Sequence, residues 1–307
     1  MSTAYISHTD CLRHEMGKHH PECPERLQAI EDQLILSRID YFFTRIEPPL
    51  ATEEQLALVH SKEHIAHVKS RSPAEGYAAI DDDTTMNPFT WQAALRSAGG
   101  AIAAVDLVMA GEAKNAFTCL RPPGHHAEPN QAMGFCFFNN IAIAAKYALE
   151  HHGLKRVAIV DFDVHHGNGT EAAFRDDQRV LMCSYFQHPF YPYSGADLNL
   201  PNMLNVPLPA YSAGPAVREI VELAWMPRLR EFKPELIFIS AGFDAHREDD
   251  MGQMGLVEAD YAWITRQLMN VANETAKGRI VSCLEGGYNL SSLARSVVAH
   301  LKELADL

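Results

Sequence analysis

Short apolar runs alternate along this chain with longer stretches of helical apolar spacing. The runs at 116–120 (AFTCL), 157–162 (VAIVDF), 180–185 (VLMCSY), 236–240 (LIFIS) and 280–284 (IVSCL) are mostly β-branched, aromatic or otherwise apolar. They read as buried strands. Between them, Thr90–Ala110 is alanine-rich, and 139–152 opens on two asparagines suited to capping and closes before Gly153. The stretches 217–232, 258–276 and 290–305 repeat apolar residues at three- and four-residue spacing. The alternation predicts an α/β fold, a central parallel sheet flanked by helices on both faces. No repeat, low-complexity tract or linker divides the chain, so residues 1–307 read as a single domain.

In open α/β sheets ligands bind beyond the carboxyl ends of the strands. The polar residues of this chain gather there. Run 157–162 leads into Asp163-Val-His165-His166-Gly, run 236–240 into Ala-Gly-Phe-Asp244, run 280–284 into Glu285-Gly-Gly-Tyr288-Asn, and run 116–120 into Arg121-Pro-Pro-Gly-His125-His126. These four glycine-bearing ends are expected to meet on one rim. If the strand stays extended past 160, Asp161, Asp163 and His165 project to one side. Two carboxylates and an imidazole make a poor apolar core and a good cation seat.

Asp163, His165 and Asp244 would form a three-ligand site with an open position, the arrangement of a catalytic metal. Zn2+ suits this mixed set, and Fe2+ also fits. Such a metal lowers the pKa of its water to roughly 7 and polarises a carbonyl oxygen. His125 and His126 follow a Pro-Gly turn that would hold two imidazoles nearby, one to take a proton and one to orient or protonate the leaving group. Pairing alone does not mark a site, because the chain has four histidine pairs. His19-His20 lies in a polar, proline-bearing loop, His151-His152 reads as a helix C-terminus, and His166 as a packing residue behind His165. Tyr288, preceded by two glycines, could donate to an oxyanion.

Composition narrows the classes. A hydrophobic fraction of 47% supplies a large core. No uninterrupted apolar run of about 18 residues suggests a membrane span, and the first residues lack a signal-peptide pattern, so a cytoplasmic location is expected. The six cysteines show no C-x-x-C spacing, which argues against a structural zinc finger. A formal net charge of −13 argues against nucleic-acid binding and is compatible with a cationic substrate.

Five motifs in order, 121–127 (RPPGHHA), 134–140 (GFCFFNN), 161–170 (DFDVHHGNGT), 240–244 (SAGFD) and 285–289 (EGGYN), resemble the histone deacetylase family. Their wording is nearest the class II enzymes and the bacterial histone deacetylase-like amidohydrolases, and 20–27 (HPECPERL) resembles the family's N-terminal loop. The resemblance implies the arginase-deacetylase fold and zinc-dependent hydrolysis of an acetyl amide. By position it implies Asp163, His165 and Asp244 as zinc ligands, His126 as general base with His125 and Asp161 behind it, and Tyr288 as the group polarising the acetyl carbonyl. It implies Gly134 and Phe135 as a tunnel wall opposed by Tyr191, and Arg26 as lining an acetate exit channel. A structural K+ would sit on Asp161, Asp163, His165 and Ser184. Asn168 stands where class I enzymes have aspartate, as in class II. Seven residues past Asp244, Met251 falls where the polyamine-selective relative has a glutamate gatekeeper, and the adjoining Glu248, Asp249 and Asp250 read as a solvated acidic turn. The expected substrate is therefore an acetyl-lysine peptide or a small acetylated amine. An acetylpolyamine amidohydrolase is the alternative, and a non-catalytic binder of acetylated ligands stands behind it.

Overall fold

The computed structural model describes residues 2–198 and 200–307. Eight strands form one wholly parallel sheet: β1 (Thr3–Ile6), β2 (Thr44–Ile46), β3 (Asn115–Thr118), β4 (Val157–Asp161), β5 (Val180–Gln187), β6 (Met203–Leu208), β7 (Leu236–Ala241) and β8 (Ile280–Leu284). Their order across the sheet is β2–β1–β3–β8–β7–β4–β5–β6. Every residue of β3, β4, β5, β7 and β8 is buried, as their largely apolar sequences require in a sheet covered on both faces.

Helices Glu25–Leu36, Glu258–Thr275 and Leu290–Leu304 pack together as one layer, and Thr90–Ala110 with Asn140–Glu150 as another. Asparagine caps start two of them. The Asn139 side chain accepts from Ala142 N at 3.0 Å, and that of Asn289 from Ser292 N at 3.1 Å. Thr90–Ala110 is long and apolar enough to cross a membrane. Here it is a core helix, with 13 of its 21 residues buried.

Among the elements the sequence reading missed are three strands of the sheet and two of the longer helices. β1 and β2 are only four and three residues long, and β6 is an edge strand carrying Pro207, tolerated where no further strand needs its missing N–H. Glu25–Leu36 and Lys62–Arg71 are too polar to stand out by periodicity. The stretch 217–232 is not one uniform helix. Gly214–Ile220 passes through a π-helical turn, Val221–Trp225, into Met226–Phe232. Pro227 supplies the reason, since its ring displaces the carbonyl four residues back.

Register brings the site together. Asp161 at the end of β4 sits opposite Ser184 of β5 and Ser240 of β7, and Leu284 of β8 opposite Ala241. The central strands thus end level, and their following loops share one rim.

Candidate active site

The extended chain does not persist past Asp161. β4 stops there, and the next turns are built by carboxylates accepting backbone N–H groups. Asp161 Oδ1 accepts from Asp163 N at 3.1 Å, and Asp163 Oδ1 from His165 N at 2.9 Å. Strand alternation is therefore not what aligns these side chains. The turns send Asp161 toward His125 and bring Asp163 and His165 round to meet Asp244.

Asp163, His165 and Asp244 are all buried, with one ligand atom from each within 4.8 Å of the others. His165 Nδ1 lies 3.1 Å from Asp163 Oδ1 and 3.2 Å from Asp244 Oδ2. Asp244 Oδ1 accepts from Val164 N at 2.9 Å, while its Oδ2 makes no hydrogen bond although fully buried. A buried carboxylate oxygen left without a donor is costly unless a cation meets it. Glycine makes room around the cluster. A Cβ on Gly286 would collide with the Asp244 carboxylate and lie 2.6 Å from Asp163 Oδ2, the atom to which Gly286 N donates at 2.9 Å. Two carboxylates, one imidazole and an unpartnered oxygen fit a divalent cation such as zinc.

Burial penalises a second charge on Asp244, and Asp163 beside it adds repulsion, so the Asp244 pKa is pushed up to about 7. Burial likewise opposes charge on His165, but the Asp163 and Asp244 carboxylates beside its Nδ1 outweigh it and push the imidazole up to about 10.

The 121–127 loop is rooted in a carboxylate that sequence reasoning quoted but gave no role. Glu285 Oε2 accepts from Gly124 N at 2.7 Å and His125 N at 3.1 Å, and Ser240 Oγ donates to its Oε1 at 3.2 Å. Its position just past β8 was the available signal. His125 Nδ1 is 3.0 Å from Asp161 Oδ2, and His126 Nδ1 is 2.8 Å from Asn168 Oδ1. The Asn168 amide donates to Glu128 Oε1 at 2.7 Å, which turns its oxygen toward His126 and fixes the proton on Nδ1. Burial disfavours both imidazolium forms. On His125 the charges of Asp163 and Asp161 reverse that effect, and its pKa is pushed up to about 10. On His126 the neighbouring His125 and His165 reinforce it, and its pKa falls well below the usual value.

A cavity of about 330 Å³ opens above the cluster, lined by His126, His165, Gly134, Phe135, Tyr191, Tyr288 and Met251. Gly134 holds φ +56°, and a Cβ there would strike the His126 ring. Phe190 and Asp83, neither anticipated from sequence, also line it. Phe190 stacks on His165 with ring centroids 5.4 Å apart, while Tyr191 meets His126 edge-on at 5.2 Å. The His20 ring of the 20–27 loop packs on Phe135 at 4.7 Å. A larger groove of about 610 Å³ between His8, Leu27, Glu31, Arg45 and Cys119 gathers none of this chemistry.

One expectation needs correction, that for 248–250. Arg26 lies outside the cavity lining. It is wholly buried behind Tyr288, its Cζ 4.8 Å from the ring, donating to Gly287 O at 2.6 Å and Glu285 O at 2.5 Å and paired with Glu22. Its place was legible only as part of a loop that sequence spacing does not fix. The 248–250 segment is a solvated acidic turn only in part: Glu248 and Asp250 are exposed, but Glu248 pairs with Arg295 at 2.7 Å, Asp249 is buried, and Asp250 lines the cavity beside Met251. His166 is packed away as expected, its Nε2 2.9 Å from Glu171 Oε2. Ser184 lies buried beneath Asp161 in the sheet register, with Oγ donating to Asn205 Oδ1 at 3.2 Å.

A histone deacetylase domain matches residues 20–304. The chain is 36% identical to the histone deacetylase-like amidohydrolase of Pseudomonas aeruginosa, over 99% of this chain and 86% of that protein. It is 36% identical to the human polyamine deacetylase HDAC10, over 99% of this chain and 48% of that longer protein. The solved structure of the HDA15 HD domain superposes with a TM-score of 0.94 at 35% identity, covering 99% of this chain and 90% of that one. The parallel sheet with level strand ends is thus the arginase-deacetylase fold, and the chain belongs to the histone deacetylase family as a hydrolytic deacetylase.

Proposed function

We propose that the protein removes acetyl groups from N-acetyllysine side chains, with Zn2+ held by Asp163, His165 and Asp244. The observation that carries this reading is the floor of the 330 Å³ cavity. There a ligand cluster with an unpartnered carboxylate oxygen adjoins two imidazoles of opposite proton affinity. A bound metal supplies Lewis acidity toward water and the acetyl carbonyl, and Fe2+ would serve the same ligand set.

The chain's own residues divide the proton work. His126, neutral and holding its Nδ1 proton against Asn168, leaves Nε2 free to take a proton from the attacking water. His125 keeps its proton between Asp161 and the ligand carboxylate Asp163, and its charge keeps His126 neutral before the reaction. The proton gained at His126 Nε2 can then pass to the departing amine, so the acid and base steps need no second carrier. Tyr288 donates its hydroxyl to the carbonyl oxygen as negative charge develops there. Phe135, Phe190, Tyr191 and Met251 offer apolar walls to the four-carbon stem of a lysine side chain. A structural K+ beneath the site, on Asp161, Asp163, His165 and Ser184, is part of the same reading. It is supported by the register of Ser184 with Asp161.

One observation favours a second substrate class. Asp83 and Asp250 line the cavity with Met251, and carboxylates there would attract the distal ammonium of an acetylated polyamine. Met251 contributes no such charge. Measuring kcat/KM of the zinc-loaded protein on acetyl-lysine peptides and acetylated spermidine or putrescine decides between them. Higher values on the peptides support the first reading, and higher values on the polyamines support the second. Tyr288→Phe, with metal content intact, is expected to lose roughly 10²–10³ in kcat.

A further inference from the structure

The loop after β7 carries Asp244 and, five residues on, Asp249. Of the three consecutive acidic residues 248–250, only Asp249 is withdrawn from solvent, at 4% exposure. Three backbone N–H groups donate to its carboxylate and no side chain does. Tyr288 N donates to Oδ2 at 2.6 Å, Asn289 N to Oδ2 at 2.9 Å, and Met251 N to Oδ1 at 2.9 Å. Two of these donors come from the tyrosine loop and one from the cavity wall. The two segments lie 37 residues apart in sequence (251 to 288).

The tyrosine loop needs such an anchor. Tyr288 follows Gly286 and Gly287, and Gly287 sits at φ +117°, a conformation open mainly to glycine. Two glycines give the backbone little rigidity of its own, and the hydroxyl of a tyrosine lies far from its Cα. A small rotation at residue 287 therefore becomes a large displacement at the hydroxyl. The ring has side support from Phe135, at 5.8 Å, and from Arg26. The direction in which the side chain leaves the backbone is set by the peptide N–H groups of Tyr288 and Asn289, both aimed into one carboxylate oxygen.

We propose that Asp249 is a positioning residue for deacetylation, clamping the backbones of Tyr288 and Met251 into one unit so that the tyrosine hydroxyl and the cavity wall keep a fixed relation. This rests on the reading of Tyr288 as donor to the acetyl carbonyl. Asp249 lies outside both the ligand cluster and the cavity lining, so its effect on rate passes through Tyr288. The alternative is a staple that only stabilises the fold.

A double-mutant cycle separates the two, using the full-length, zinc-loaded protein and an acetyl-lysine peptide. Asp249→Asn is the informative change. Whichever way its amide turns, an NH2 group faces a backbone N–H where an acceptor stood. The expected result is a fall in kcat of about 10- to 100-fold with KM and zinc content little changed. In the Tyr288→Phe background the same change is expected to cost less than about twofold, because the group it positions is gone. Equal losses in both backgrounds, or a wild-type kcat for Asp249→Asn, would overturn the proposal. Should Asp249→Asn fail to fold, Asp249→Glu keeps the charge but shifts it by one methylene, and enters the same cycle with the same two outcomes. A Tyr288→Phe enzyme with wild-type kcat brings down the reading of Tyr288 and this proposal with it. Additivity with an impaired Tyr288→Phe brings down this proposal alone.

Discussion

His125 and His126 lie with ring centroids 4.1 Å apart, and each is held through Nδ1 by a partner of different charge, the carboxylate of Asp161 for the first and the amide of Asn168 for the second. The carboxylates of Asp163 and Asp161 push His125 toward keeping its proton, while burial and the charges of His125 and His165 push His126 toward standing neutral. His126→Ala is expected to lose about 10²–10⁴ in kcat if its Nε2 is the proton acceptor. Zinc content should stay unchanged, since His126 is outside the ligand cluster. A variant retaining most of its turnover would assign the proton to another group.

Asp163→Ala and Asp244→Ala each remove one of three protein ligands, and both are expected to abolish activity and lower bound zinc sharply. Elemental analysis of the purified variants checks this. Full zinc occupancy in both would place the metal elsewhere.

Acid should destabilise the fold through two buried histidines outside the ligand cluster. Burial, with added repulsion from His64, pushes His60 down to about 3, and burial alone pushes His300 down to about 3. Both imidazoles are tied up while neutral, His60 between Glu128 O and Asn139 N, and His300 between the hydroxyls of Thr265 and Ser282. An unfolded histidine titrates near 6.5, so these groups favour folding fully above that pH. Their contribution is lost as pH falls from about 6.5 toward 3, because the unfolded chain takes up protons the folded one refuses. Each costs on the order of 1.4 kcal/mol per pH unit in that window. Urea midpoints at pH 7.5 and 5.0 are expected to drop more for wild type than for His300→Gln. Parallel drops in the two proteins would remove His300 from the account.

Met251→Glu should raise activity on acetylated spermidine or putrescine relative to acetyl-lysine peptides, by adding a third carboxylate to a lining that already holds Asp83 and Asp250. The ratio of kcat/KM between the two substrate classes is the readout. An unchanged ratio would mean that Met251 does not face the distal end of the substrate.

The sequence made the centre of this protein legible and its edges obscure, for physical reasons. The buried strands β3, β4, β5, β7 and β8 are largely apolar and announce themselves, and the polar residues at and just past their ends mark the rim. β1, β2 and β6 are short or marginal, and their pairing is decided by neighbours far away in sequence. Asp163, His165 and Asp244 were found by residue type and spacing, yet the reason they converge lies in carboxylate-built turns that break the strand pattern. Asp249 was hidden by its surroundings, since nothing in Glu-Asp-Asp reveals which carboxylate is buried. Arg26 was named from the resemblance alone, because its partners Glu285 and Gly287 are some 260 residues away (259 and 261) and use backbone carbonyls, which carry no side-chain signature.

The central claim is metal-dependent hydrolysis of an acetyl amide at Asp163, His165 and Asp244. It is tested most directly by acetate release from an acetyl-lysine peptide, measured on chelator-stripped protein before and after zinc is returned. The account expects activity to vanish on stripping and to return as zinc reaches about one per chain. Stripped protein that still releases acetate at the original rate would contradict it.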